Sequence, residues 1–83
     1  MELIRGLVVT VRAGRDKGSL QTGLGREGNF LLTADGKRRT LTHPKRRNPL
    51  HVWKTDRVLT EEQLRTDRAI RRALAECSDE KQP

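Results

Sequence analysis

The chain has 83 residues, of which 18 are Lys or Arg and 11 are Asp or Glu, for a formal charge of +7. That length allows one small domain with a tail and excludes a Rossmann, β/α-barrel or two-lobed enzyme. Apolar residues make up 33% and charged residues 35%, so the core is small, yet its apolar residues are clustered enough to fold.

In chain order, Leu7-Val8-Val9-Thr10-Val11-Arg12 is rich in β-branched types and predicts a strand. Leu7, Val9 and Val11 form its apolar face, alternating with Val8, Thr10 and Arg12. The polar loop Ala13 to Gly18 has a glycine near each end, which predicts a tight turn with φ > 0 at one or both. Residues 20–25 read as a weaker strand, because Gly23 and Gly25 add entropy and remove side chains. Asn29 to Thr33 is a clearer strand, with Phe30 and Leu32 on one face and Leu31 on the other. Asp35-Gly36 is a hairpin signal and predicts a short strand over Arg38 to Thr42. Pro44 and Pro49 break regular structure, and Leu50 to Trp53 reads as a last short strand. Five short strands joined by tight turns within about 50 residues point to a small barrel.

After Thr55 the periodicity becomes helical. Thr60-Glu61-Glu62-Gln63 matches a capping box, with Thr60 as N-cap and Gln63 three positions on. Ile70, Ala73, Leu74 and Cys77 fall on one side of a helix running to residue 77. Leu64 lies off that stripe if the helix is continuous, and a second N-cap at Thr66 or Asp67 would split it. The expected division is a barrel over 1–59, a helix packed on or beside it over 60–77, and a flexible polar tail over 78–83.

The charge is uneven. Residues 1–59 carry 13 basic against 5 acidic residues, whereas residues 60–83 carry 5 against 6. Lys37 to Arg47 holds six basic residues and no acid, as two triplets flanking the predicted short strand. An extended chain would place the inner ends of the triplets about 20 Å apart at ~3.3 Å per residue. Arginine contacts phosphate oxygens in pairs and stacks on splayed bases, so the run points to a polyanion. A solvated surface is the plainer reading, but such surfaces usually mix their signs. Arg15 and Lys17, at a loop tip between two strands, are a second candidate, with Asp16 expected to hold its own turn.

Other chemistries have little support. Gly23-Leu24-Gly25-Arg26-Glu27-Gly28 fits G-x-G-x-x-G, but a strand follows it where a dinucleotide site needs a helix. His43 and His51 have no thiolate pair or carboxylate cluster beside them, so no metal site is expected. His51, between Leu50 and Val52, reads as a strand residue that contacts RNA or packs. Cys77 as the single cysteine excludes an internal disulfide and reads as a core residue. Trp53 reads as core or as cover for a barrel end. The N-terminus lacks a signal-peptide apolar region, and Leu7-Val8-Val9 is far short of the ~20 residues that a membrane helix needs. A cytoplasmic protein with no membrane partner, catalytic residues, cofactor or small-molecule substrate is expected.

Gly6-Leu7-Val8-Val9-Thr10-Val11-Arg12-Ala13-Gly14-Arg15-Asp16-Lys17-Gly18 resembles a KOW motif, and Ala13 to Gly18 is its most specific part. More narrowly, the chain resembles bacterial KOW-domain RNA-binding proteins. Those are similar to KOW-containing large-subunit ribosomal proteins of archaea and eukaryotes. Asn29 to Lys37, Pro44 to Asn48 with His51-Val52, and Thr66 to Leu74 extend the resemblance over residues 5–75. It implies a mainly β fold, an SH3-like barrel of about five short strands with a C-terminal helix. It also implies non-enzymatic binding to RNA, with ribosomal RNA within a subunit as partner and a monomer outside that complex. The resemblance maps RNA binding onto Gly14, Arg15, Lys17, Gly18, Lys37, Arg38, Arg39, Lys45, Arg46, Arg47 and His51, and Arg12 and Lys54 complete the candidate RNA-binding set. Leu20 to Gly25 departs from the family's continuous, β-branched second strand, so a bend, bulge or shortening is expected there. Leu50 stands where the family often has lysine. An SH3-like protein-interaction module and a NusG-like elongation factor are the alternative readings. The first would need exposed aromatics, for which Trp53 is the strongest candidate.

Overall fold

The computed structural model describes residues 4–80. Five strands, β1 (Leu7–Val11), β2 (Leu20–Glu27), β3 (Phe30–Ala34), β4 (Lys45–Arg47) and β5 (Val52–Val58), precede one helix, α1 (Asp67–Glu80). The strands form a single antiparallel sheet in the order β4-β3-β2-β1-β5. A 3-10 turn over Pro49–His51 joins the two edge strands. The fold is therefore mainly β, small and barrel-like, with a C-terminal helix.

The interior strand β1, between β2 and β5, is buried on both sides. Leu7 and Val9 cluster with Leu31 and Val52 on one side. Val8 and Ala34 cluster on the other with Leu59, Leu64, Ile70, Ala73, Leu74 and Cys77. The helix thus covers a sheet face, and the run Leu7-Val8-Val9 is the mark of a strand with no solvent side. Full burial of Ile70 and Leu74 contributes on the order of 3–6 kcal/mol, an upper figure. Against a net stability of about 5–15 kcal/mol for such a domain, that makes α1 part of the fold.

β2 runs for eight residues and carries a bulge, since its pairing with β3 skips a position between Gly23 and Gly25. The expected irregularity therefore takes the form of a bulge. The G-x-G-x-x-G stretch lies along this strand and the turn after it, with no helix following.

Three expectations need correction. Arg38 to Thr42 forms bends, not a strand; the fourth strand lies later, at Lys45–Arg47. The two basic triplets are consequently not the ends of one extended segment. The capping box at Thr60 forms, with Gln63 N–H donating to Thr60 Oγ1 and Thr60 N–H to Gln63 Oε1. It closes a turn that seats Leu64 in the core rather than starting the helix. The helix begins after Thr66, whose Oγ1 accepts from Ala69 N–H at 3.0 Å, and it includes Ser78 to Glu80. Residues 81–83 of the expected tail lie outside the described residues.

The loop between β3 and β4 is fastened to the helix. Asp67 Oδ1 accepts from Leu41 N–H at 2.8 Å, and Arg71 donates to the Gly36 carbonyl at 3.2 Å. Gly36 has φ +81°, and a Cβ there would overlap the Asp67 carbonyl oxygen. Only glycine permits both the turn and this approach.

Candidate nucleic-acid interface

The loop between β1 and β2 turns with positive φ at both Gly14 (+85°) and Gly18 (+92°). Lys17 N–H donates to the Gly14 carbonyl and Gly18 N–H to the Val11 carbonyl. This geometry exposes Arg15 and Lys17 and turns Asp16 inward.

Asp16 organises the region. Its Oδ2 accepts from Arg39 Nε at 3.1 Å, from an Arg47 terminal nitrogen, and from Gln21 Nε2 at 3.4 Å. Gln21 Oε1 in turn accepts from Thr33 Oγ1 at 2.6 Å and from Arg47 at 3.2 Å. The side chains of Asp16 and Arg47 are only 8% and 7% exposed. Gln21 and Thr33 are fully buried. Burial pushes the Asp16 carboxyl up. Hydrogen bonds from Arg47 and Arg39, with their charges, outweigh that and hold it below its ordinary value. Arg47 Nε is buried without a partner among the described residues.

This corrects two expectations. Arg47 is an interior residue and is not available to a polyanion. Asp16 does not merely hold its own turn, although its backbone carbonyl accepts from Ser19. It reaches 23 and 31 positions along the chain, to Arg39 and Arg47.

The same contacts bring two basic segments together. Arg15, Lys17, Lys37 and Arg38 line an open concavity with Asp16, Ser19 and Asp35. Its two acids are turned to internal bonds: Asp16 to the arginines, and Asp35 Oδ1 to the N–H groups of Lys37 and Arg39. The four lining cations are exposed, and their side chains have no hydrogen-bond or ion-pair partner among the described residues. Arg39 is half-buried behind them on Asp16.

The remaining candidates lie on the edge strands and in the 3-10 turn that joins them. Lys45 is exposed on β4, and Arg46 is exposed there at 3.3 Å from Glu27, with its guanidinium 5.6 Å from the Phe30 ring centroid. His51 is exposed in the 3-10 turn rather than in a strand, and its carbonyl accepts from Arg12 N–H at 2.7 Å. Lys54 is exposed on β5. Trp53 is neither core nor cover: it is 62% exposed, with the Arg12 guanidinium 3.2 Å from its ring centroid. Cys77 is buried in the core as expected.

Among the described residues, no group of three His, Cys, Asp or Glu side chains is placed to hold a metal. None of their helices is long and apolar enough to cross a membrane. Neither protein-family models nor curated proteins match this sequence.

Proposed function

We propose that the protein is a non-enzymatic RNA-binding module of the KOW type, acting in the cytoplasm on ribosomal RNA. The observation that carries this reading is the concavity in which Arg15, Lys17, Lys37 and Arg38 stand unpaired while both lining acids are spent internally. Four cations from two segments form a site for consecutive phosphates, which bind by charge neutralisation and counterion release. Lys45 and Arg46 on β4 add a secondary contact. The resemblance of Ala13 to Gly18 to a KOW motif supports RNA over other polyanions. The turn that presents Arg15 and Lys17 is shaped by positive φ at Gly14 and Gly18.

The test is sedimentation of the chain with ribosomal subunits, followed by crosslinking. Co-sedimentation at low salt with crosslinks from Lys17 and Lys37 to RNA is expected. A chain that stays in the supernatant with subunits and with free ribosomal RNA would overturn the reading.

A further inference from the structure

Trp53 is an unusual surface residue. It sits on edge strand β5 opposite Thr10, 62% exposed, with Arg12 stacked on its ring. The Arg12 backbone is held in place by its N–H bond to the His51 carbonyl. The 3-10 turn that precedes β5 presents Leu50, 86% exposed. An indole this open is costly to leave in water. Its ring is electron-rich, and a guanidinium over it places a positive charge beside a flat surface. Phosphate-gripping needs no such platform.

We propose that Trp53, with Arg12, is a stacking site for an unpaired RNA base, so that the protein's RNA partner includes a single-stranded or splayed-out segment. This rests on the RNA-binding reading above. Bases stack on aromatic rings and on guanidinium planes whatever their identity; with one ring face under Arg12, the base takes the other face or lies on the guanidinium, whose charge serves the adjoining phosphate. A duplex keeps its base faces inside the stack and cannot use the platform. A proline-rich peptide would also seek an exposed Trp, but such grooves set several aromatics side by side. Here the chain's other aromatic, Phe30, lies on β3, which is separated from β5 by β2 and β1.

The sequence supplies its own probe, because Trp53 is the single tryptophan and there is no tyrosine. The experiment titrates the full chain at low salt with an oligoadenylate of about eight nucleotides, with an RNA duplex and with a proline-rich peptide, following Trp53 emission and binding anisotropy. Both RNAs are expected to bind, with strong quenching only by the single strand. Trp53→Ala should weaken single-strand binding about 5- to 100-fold and leave duplex binding within about twofold. Trp53→Phe should retain most of the affinity. Binding of both RNAs without quenching, and with Trp53→Ala unaffected, overturns the stacking site and leaves the RNA reading intact. A response to the peptide and not to the oligoadenylate overturns it in favour of a peptide surface. Failure of every RNA to bind overturns both readings.

Discussion

Asp16 and Arg47 lie 31 residues apart in sequence and meet as a buried ion pair, with Gln21 and Arg39 completing the shell of the carboxylate. The pair joins the β1–β2 loop to edge strand β4, and the Asp16–Arg39 contact ties the same loop to the segment that carries Lys37 and Arg38. A charge buried with its partner is tolerated; the same charge left alone is costly.

Removing one member should therefore be severe. We expect Asp16→Ala to destabilise the fold by about 3–5 kcal/mol, because Arg47 would remain buried with its Nε already unpartnered. The double change Asp16→Leu with Arg47→Met should recover most of that loss. Urea unfolding of the three chains checks it, and equal stability of Asp16→Ala and the parent would refute it.

The pair also sets an acid limit. Burial raises the Asp16 pKa, but the two arginines together bring it below the ordinary 3.8. A group depressed in the folded state contributes stability that is fully present above the unfolded value and is lost as pH falls through the folded value. The urea midpoint should thus hold down to pH ~4 and decline below it. In Asp16→Asn, the part of that decline due to this carboxyl should be absent. An identical acid profile in both chains would show that other carboxylates govern it.

The four open cations should act through salt-sensitive binding and not through stability. Each of Arg15→Ala, Lys17→Ala, Lys37→Ala and Arg38→Ala should reduce the slope of log K against log salt by about 0.7–0.9 if it removes one phosphate contact. The quadruple variant should lose a slope of about 3 while its melting temperature stays within a few degrees. Changing Lys45, Arg46 and Arg47 together would mix lost contacts with unfolding, since Arg47 is interior; Lys45→Ala with Arg46→Ala is the clean comparison. Slopes that do not move in the quadruple variant would place the interface elsewhere.

The helix should melt with the barrel. Leu74 is buried among Ile70, Ala73 and Cys77, so Leu74→Asp forces a carboxylate into that seam at a cost of about 3 kcal/mol or more. For a domain of this size the melting temperature should fall by more than about 10 °C in a circular dichroism scan. An unshifted transition would mean that α1 does not support the sheet.

Much of this architecture was legible from local pattern. The β-branched run marked β1, the glycines marked a weakness in β2 that proves to be a bulge, and the spacing of Ile70, Ala73, Leu74 and Cys77 marked the buried face of α1. Leu64 did not fit the stripe, and it is seated by the capped turn at Thr60 that precedes the helix. β4 was not legible, because Lys-Arg-Arg has no strand propensity of its own and is drawn into line by pairing with Leu31 to Thr33. The candidate interface was legible as charge and not as geometry. Adjacent arginines look alike in a sequence, yet strand alternation turns Arg47 inward and Arg46 outward. Only the fold separates the cations that brace Asp16 from those that face solvent. Trp53 was misplaced because a lone indole in a short chain is usually buried, and nothing local shows which side of an edge strand is wet.

The fastening of the β3–β4 loop to α1 ties two processes together. Asp67 holds Leu41, Arg71 holds Gly36, and between these anchors stand Lys37 and Arg38. A polyanion seated on those cations draws on an arrangement that the first two turns of the helix maintain. By reciprocity, occupancy at the loop must then strengthen the helix by the same free energy with which the folded helix strengthens occupancy. The amide protons of residues 70–74 would exchange more slowly when the concavity is filled. The helix thus becomes a reporter of what the β3–β4 loop holds.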